Sequence, residues 1–158
     1  MMREFKFRAW HKAVNQMLNI RDQGYHGEVF KWLHEKQPIE IMQFTGLHDK
    51  NGNEIYEGDL LKSEGETKVQ IFNGGNKVKS PYWEIKQVVF TEGALQAVIV
   101  ASHNSYFGDI PSKPRPIFNP TEFLEIIGNI YENHELLTLP STNFPASRRV
   151  VPAHSGGG

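Results

Sequence analysis

The sequence predicts a mainly β protein with a minor α component, and three observations support this fold class. Apolar and polar residues alternate along several short segments, which is the period of a half-buried strand. Turn-forming pairs such as Asn51-Gly52 separate these segments, and such pairs suit the positive φ of tight turns. Hydrophobic residues form 39% of the 158-residue chain and aromatic residues 11%. We therefore expect one folded domain over residues 1–139 and a Pro-, Ser- and Gly-rich tail over 140–158.

The first strand is expected over residues 5–10. Its alternation places Phe5, Phe7 and Ala9 on one face, which we assign to the core, and leaves the side chains between them on the outer face. Further elements are predicted in chain order. They are strands over 17–20, 29–33, 41–45, 54–56, 60–62, 68–72, 82–90, 94–101 and 123–131, and one helical turn within 132–137.

Glycine and proline mark the predicted connections. Thr91-Glu92-Gly93 joins the strands before and after it as a hairpin. Gly128, in the middle of the last strand, predicts a bulge or a close backbone contact. The segment over 102–120 contains four prolines. We expect an extended loop there, because proline removes a backbone donor and fixes φ.

The charges of the chain nearly cancel. There are 17 Lys and Arg against 18 Asp and Glu, which gives a net charge of −1 and an isoelectric point near 6.7. No global basic field draws such a chain to nucleic acid or anionic lipid, so that kind of binding needs a local patch. Cysteine is absent, which excludes disulfides and thiolate chemistry and fits a reducing cytoplasm. The charged start lacks the apolar run of a signal peptide. We expect a soluble, cytoplasmic protein with no membrane partner.

Three segments together resemble the YopX family, which is found in prophages and phages of Gram-positive bacteria. They are MREFKFRAW over 2–10, MQFTGLHDKNGNEIYEGD over 42–59 and FLEIIGNIYEN over 123–133. Their order and spacing span residues 2–137, which is nearly the whole chain. The resemblance is specific, because a long string that carries Gly, Asp and aromatic residues is improbable by chance.

The resemblance implies coiled, bifurcating sheets with a portion similar to a small SH3-like barrel. The family has no established biochemical activity, so the resemblance supplies no catalytic residues to this chain. The chain departs from the family at His11, where the family usually has Asp after the tryptophan. The tail beyond residue 139 lies outside the resemblance.

Two patterns were weighed as metal sites, and we expect neither a metal nor another cofactor. Asp49, Asn51 and Asn53 have the first three spacings of an EF-hand loop. Such a loop needs Gly at its sixth position and Glu at its twelfth, where this chain has Glu54 and Leu60. Two histidines at i and i+4 are a common signature of zinc sites on helices. The seven histidines of this chain include no such pair.

Nucleophilic catalysis has one candidate. Ser102-His103 with Asp109 supplies the residue types of a hydrolase triad. No Gly-x-Ser-x-Gly elbow is present, and such residues occur together in many surface loops. Carboxylate pairs such as Glu64 and Glu66 are interpreted as solvated turn residues.

The outer face of the first strand is the predicted binding surface. It combines four cations with an aromatic ring, and this combination can hold single-stranded nucleic acid, because cations bind phosphate and a ring stacks on a base. The residues are Arg3, Lys6, Arg8, Trp10 and Lys12. Lys77, Lys79 and Lys86 form a possible second basic patch. The alternative is that alternating Lys and Arg protect an edge strand from pairing with other chains while Trp10 packs under a loop, and the neutral net charge favours this alternative.

The sequence therefore predicts a phage or prophage accessory protein that is a non-enzymatic binding module. Its partner is a host or phage macromolecule, and we expect the protein to form a homo-oligomer. Two alternatives stay open. One is a hydrolase that acts on nucleic acid, and the other is a sheet-edge self-assembly protein.

Overall fold

The computed structural model describes residues 5–20, 31–70, 77–104, 115–116 and 121–138. These residues form two antiparallel sheets, a helical segment over 31–34 and one 3₁₀ turn, so the mainly β fold class is confirmed. The strands are β1 (Phe7–His11), β2 (Gln16–Asn19), β3 (Ile39–His48), β4 (Glu54–Tyr56), β5 (Asp59–Gln70), β6 (Lys77–Thr91), β7 (Ala94–Asn104), β8 (Arg115–Pro116) and β9 (Glu125–Asn129), and the 3₁₀ turn is His134–Leu137. The predicted tail over 140–158 lies outside the described residues, and the SH3-like barrel portion stays a prediction.

The first sheet has the strand order β2-β1-β3-β4. Its central strand β1 pairs with β2 in the predicted antiparallel hairpin, with Trp10 opposite Met17. On its other side β1 pairs with β3, which places Trp10 opposite Glu40. The sheet thus holds the predicted binding strand between two neighbours, and β1 is not an edge strand.

The alternation predicted for the first strand is present, but the assignment of its faces is wrong for its first residues. Phe5 and Phe7 are 66% and 38% exposed, whereas Lys6 and Trp10 are 9% and 6% exposed. A charged side chain can be buried when it gains a hydrogen-bonded partner of opposite charge. Lys6 has such a partner, as Arg8 does, and neither partner can be identified from the local pattern.

The second sheet has the order β8-β7-β6-β5-β9 and curls into a half-barrel. Its three central strands are 12, 15 and 11 residues long and pair side by side. The predicted hairpin between β6 and β7 is confirmed. It turns at Glu92 and Gly93, which both have positive φ, as a two-residue turn between twisted strands requires.

Two predicted strands, over 60–62 and 68–72, are parts of one strand, β5. The polar residues Glu64 and Glu66 interrupt the hydrophobic pattern there, but the strand continues because every residue from Leu60 to Gln70 pairs with β6. Residues 71–72 lie outside the described part of the chain. Pairing with β6 therefore determines the conformation of this segment, whose own residues are poor strand formers.

Two further predictions need correction. The strand predicted over 29–33 is wrong where it is described, because residues 31–34 are helical and Glu35 N donates to Lys31 O at 2.8 Å. The loop predicted over 102–120 begins too early, since β7 continues through Asn104 and pairs with β6. Within this segment Arg115–Pro116 forms β8, and the rest lies outside the described residues.

Two hydrophobic clusters lie on opposite faces of the second sheet. Leu60 and Leu61 are adjacent in β5 and are both fully buried, because successive side chains of a strand point to opposite sides. One cluster contains Ile55, Leu61 and Val88. The other contains Leu60, Ile85 and Ala101, and the 3₁₀ turn covers it with Leu136 and Leu137. The middle of this sheet is therefore buried on both faces.

The Asp49 side chain closes the turn between β3 and β4 and ties it to β9. Its Oδ1 accepts from the backbone NH groups of Asn51 and Asn53, both at 2.9 Å. Its Oδ2 accepts from Ile126 N at 3.1 Å, 77 residues away. The predicted Asn-Gly turn is confirmed, with Gly52 at φ +83°. The segment that shares spacings with a calcium loop thus uses its carboxylate to bind backbone NH groups.

We expect Asp49→Ala to reduce the free energy of unfolding by about 1–3 kcal/mol at neutral pH, because it leaves three partly buried backbone NH groups without an acceptor. Burial raises the pKa of the Asp49 carboxyl, but the hydrogen bonds from Ile126, Asn53 and Asn51 outweigh burial and lower this pKa below its ordinary 3.8. The unfolded chain then binds the proton more tightly, so this stabilisation is present above pH 3.8 and is lost as the pH falls through the folded-state value.

Urea unfolding of wild type and Asp49→Ala at a series of pH values checks this expectation. The difference in stability between the two proteins should narrow on acidification. A constant difference from neutral pH to well below the ordinary pKa of the carboxyl would contradict it.

The bulge predicted at Gly128 is confirmed. Leu60 pairs with Gly128 and the next residue, Leu61, pairs with Ile126, so β9 carries one extra residue. Gly128 has φ +154°, and a Cβ atom at this position would overlap the side chain of Asn133. Glycine is needed here both for its backbone angle and for the close approach of a side chain.

Candidate functional site

Lys6 of the predicted binding surface lies inside the first sheet's packing. Its Nζ donates to Glu54 Oε1 at 2.7 Å and lies 5.0 Å from the centroid of the Phe44 ring. The same carboxylate group accepts from Tyr56 Oη through its Oε2, at 2.7 Å. A cation that is paired and covered in this way links β1 to β4.

Arg8 makes the most buried ion pair of the described residues. Its Nη2 donates to Asp59 Oδ1 at 2.5 Å and to Glu57 O at 3.2 Å, and its guanidinium lies 4.8 Å from the centroid of the Tyr56 ring. Asp59 is 1% exposed, and its Oδ2 accepts from Tyr56 N at 2.7 Å. Burial raises the pKa of the Asp59 carboxyl, and the positive charge of Arg8 opposes this rise. The pair joins the two sheets at the corner before β5.

Trp10 and Lys12 differ in exposure. The Trp10 ring is stacked on Tyr131, with centroids 5.5 Å apart and an interplanar angle of 16°. Lys12 is 51% exposed and forms an ion pair with Glu40 at 2.5 Å. Arg3 lies outside the described residues. The structure therefore gives Lys6, Arg8 and Trp10 internal contacts, and the nucleic-acid role of this surface stays a prediction.

The three lysines predicted as a second basic patch do not lie together on one face of the sheet. Lys77 and Lys79 lie on one face of β6 and Lys86 on the other, because their positions differ by an odd number of residues. Lys79 forms an ion pair with Glu66 at 2.9 Å, and Lys86 forms one with Glu84 at 2.8 Å. This arrangement makes no continuous cationic surface.

The residues considered as a catalytic triad do not meet in the described structure. Ser102 and His103 are neighbours in β7, so their side chains point to opposite faces of the sheet. Ser102 pairs with Glu84 on one face, and His103 pairs with Trp83 on the other, where the two rings lie 6.3 Å apart. Asp109 lies outside the described residues. A general base must lie within hydrogen-bonding distance of its nucleophile. The side chains of this serine and this histidine lie on opposite faces of the sheet and do not meet that requirement.

In the described part of the chain, no set of three or more His, Asp or Glu side chains is placed to hold a metal ion. In the same residues, no helix is long and apolar enough to cross a membrane.

A polar groove lies on one face of β5, β6 and β7, beyond the Leu61 and Val88 cluster. It has a volume of about 360 Å³. By strand register, five of its lining residues have side chains on this same face, and we call this set the polar groove: Thr67, Tyr82, Glu84, Ser102 and Asn104. Ser102 and Asn104 are 7% and 5% exposed. Trp83 and His103 also line the groove, although strand register places their side chains on the opposite face of the sheet.

The Tyr82 ring packs against Gly65 of β5. Gly65 is directly opposite Tyr82, and a methyl group at Gly65 would lie 3.3 Å from Tyr82 Cε1 and Oη. The ring therefore lies across the backbone of β5. Beside it Ser80 Oγ donates to Asn104 Oδ1 at 3.0 Å, in a buried position. The sheet fixes the ring and the amide relative to each other.

Sequence reasoning missed this groove. Tyr82 and Glu84 were predicted in the strand over 82–90 and Ser102 and Asn104 in the loop over 102–120, whereas Thr67 lay outside the predicted strands. Ser102 was considered only as a nucleophile. The available signal was the small and polar character of alternate residues Ser63, Gly65 and Thr67. This signal has meaning only when β5 is known to be a single strand in the middle of a sheet.

The chain was compared with known proteins. The family model described as YopX protein matches residues 6–138. A solved structure, protein EF1440 from Enterococcus faecalis, is similar at 26% sequence identity, over 86% of this chain and 99% of that chain, with a TM-score of 0.47. No curated protein matches the chain.

Proposed function

Because the chain belongs to the YopX family, we propose that it is a phage or prophage accessory protein, located in the host cytoplasm, that acts as a non-enzymatic binding module. The polar groove is its binding surface. The observation that carries this proposal is the placement of an aromatic ring beside buried polar side chains on three long paired strands. Binding sites are commonly concave, with a few polar groups held in fixed positions.

The rigidity of the sheet supports binding through the groove. β6 pairs along its length with β5 and with β7, and its residues Ile85 and Val88 are fully buried on opposite faces of the sheet. A site on strands pays little ordering entropy when a ligand binds, because its side chains are already positioned. This pre-organisation favours a specific ligand over loose adhesion.

The placement of chemical groups supports binding over hydrolysis. Ser102 in the groove and His103 lie on opposite faces, so this serine has no adjacent base from that histidine. Glu84 is the carboxylate that lines the groove among the described residues. Hydrolysis of a glycosidic bond ordinarily uses two carboxylates, one on each side of the bond.

The proposal is tested with ¹⁵N-labelled full-length protein and three soluble probe classes: neutral oligosaccharides, short single-stranded DNA and short peptides. We expect one class to shift the backbone amide signals of the polar groove, and Tyr82→Ala to remove those shifts. Phe90→Ala is the matched control, because Phe90 is 55% exposed at the far end of β6. The proposal fails if all three classes leave the groove signals unchanged.

Self-assembly is a second candidate, favoured by an apolar patch on the outer face of the first sheet. Phe5, Phe7 and Ile41 are 66%, 38% and 36% exposed, and exposed aromatic and aliphatic side chains that lie together commonly mark an interface. The occupant we propose is a second copy of the chain. Light scattering should then give a fixed mass above that of the monomer, and Phe5→Ser with Phe7→Ser should reduce it. A monomer at every concentration would remove this candidate.

A further inference from the structure

We propose that the far end of the β5–β6 pair binds the phosphate backbone of duplex DNA. This goes beyond the proposed function, because it concerns the face of the second sheet opposite to the polar groove. Three exposed lysines carry the proposal, and we call them the lysine cluster: Lys68, Lys77 and Lys79.

Strand register brings the lysine cluster together. Lys68 of β5 is directly opposite Lys79 of β6, and Lys77 lies two residues before Lys79, so all three side chains are on one face. Side chains that are directly opposite or diagonal in an antiparallel pair lie within about 8 Å of each other. Three cations that are spread along the sequence therefore form one local patch, which is what a chain of neutral net charge needs to bind a polyanion.

Two members of the cluster are available to an anion. Residues 67–83 contain the three lysines and no Asp or Glu. Among the described residues, no carboxylate forms an ion pair with Lys68 or Lys77, and both side chains are exposed. Their charges therefore face solvent and can contact phosphate groups directly.

The nearest carboxylates on the same face are paired with lysines. Glu66 forms an ion pair with Lys79 at 2.9 Å, and Glu64 forms one with Lys62 at 2.7 Å. Lys79 and Glu66 are 69% and 56% exposed, and an ion pair so open to solvent is weak. A phosphate group can therefore compete with Glu66 for Lys79.

The cluster opposes the stability of the free protein. Like charges directly opposite each other destabilise a sheet, and Lys68 and Lys79 have this arrangement. A phosphate group bound between them removes the repulsion. Lysines that only keep other strands away from a sheet edge need not face each other across two strands, so anion binding explains the arrangement better.

The aromatic residues near the cluster favour a duplex over a single strand. Proteins hold single strands through rings on which bases stack, as well as through cations. Trp83 is the first aromatic residue of β6 on the lysine face, and it packs against the Leu60 and Ile85 cluster and stacks with His103. Phosphate contacts alone suit a duplex, which carries one negative charge per about 1.7 Å of its axis. Such contacts do not depend on base sequence.

The test is fluorescence anisotropy of a labelled duplex of about 16 base pairs and mixed sequence, titrated with the full-length protein at several salt concentrations. Each phosphate contact contributes about −0.9 to the slope of log K against log salt, so three contacts predict about −2.7. Lys68→Gln and Lys77→Gln should each weaken binding about five- to tenfold near 0.1 M salt and reduce the slope by about 0.9. Lys31→Gln, at a lysine that is 67% exposed outside the cluster, is the matched control and should change neither quantity.

Two further measurements separate a DNA contact from a structural role. Glu66→Gln releases Lys79 from its ion pair and should tighten binding about three- to tenfold, so unchanged or weaker binding would overturn the contact assigned to Lys79. Lys68→Gln should not lower the melting temperature in the absence of DNA, because it removes a repulsion. A large fall in that temperature would make the lysine a structural residue and overturn the proposal.

The remaining outcomes also decide the proposal. It is overturned if the duplex does not bind at low salt, or if Lys31→Gln weakens binding as much as the cluster variants do. Tighter binding of a single strand of equal length overturns the choice of a duplex. Loss of binding in Lys12→Gln alone would place the DNA on the first strand. None of these results depends on the polar groove, whose amide signals test the proposed function separately.

Discussion

Asp59→Ala is expected to lower the free energy of unfolding by about 3–5 kcal/mol, because it leaves the Arg8 guanidinium buried without its partner. Arg8 is 12% exposed and reaches Asp59 at 2.5 Å. The same carboxylate accepts from Tyr56 N, so the substitution also leaves a buried NH group unsatisfied. Chemical denaturation followed by circular dichroism measures the loss.

The matched control is the exposed ion pair between Lys12, directly after β1, and Glu40 of β3. Lys12 and Glu40 are 51% and 47% exposed, and such solvent-screened surface pairs contribute little to stability. Glu40→Ala should therefore change stability little. Equal and small losses of unfolding free energy in Asp59→Ala and Glu40→Ala would show that the buried ion pair does not hold the two sheets together.

Trp10→Ala is expected to destabilise the protein by about 3–5 kcal/mol, the usual loss when a large buried aromatic side chain is removed. Trp10 is 6% exposed and stacks on Tyr131 at 5.5 Å. The substitution leaves a cavity between β1 and the segment that follows β9. Thermal unfolding monitored by calorimetry measures the effect, and Phe123→Ala, at a residue that is 65% exposed, is the control.

The Trp10 result also decides how binding data on the first strand are interpreted. A folded Trp10→Ala protein of unchanged stability, with a specific loss of DNA binding, would favour the nucleic-acid role predicted for this surface. Strong destabilisation makes any loss of DNA binding by this variant uninformative. Lys12→Ala is then the better test, because Lys12 is exposed and its ion pair is weak.

Local patterns predicted turns better than they predicted the length of strands. The turns at Gly52 and Gly93 were predicted correctly because glycine adopts the positive φ that both turns require. The length of β5 was not predicted, because Glu64, Gly65 and Glu66 have low strand propensity. Their conformation depends on β6, which is far along the chain.

Burial of charge was the second limit of sequence reasoning. Lys6, Arg8 and Trp10 were correctly grouped on one face of a strand. That face is buried because Lys6 pairs with Glu54 and Arg8 pairs with Asp59. These partners are 48 and 51 residues away in the sequence, respectively. From residue type alone, a lysine or an arginine is expected to be exposed. Only the contact with a distant carboxylate explains why these two are buried.

By itself the sequence determined the fold class, the family, the tight turns and the glycine bulge, because these depend on short-range backbone preferences and on a long specific string of residues. Only the tertiary structure decided which face of β1 is buried, that Ser102 and His103 are separated, and that the polar groove exists. Each of these depends on strand register between distant segments. Register is fixed by the sum of many cross-strand contacts, and no single segment contains that information.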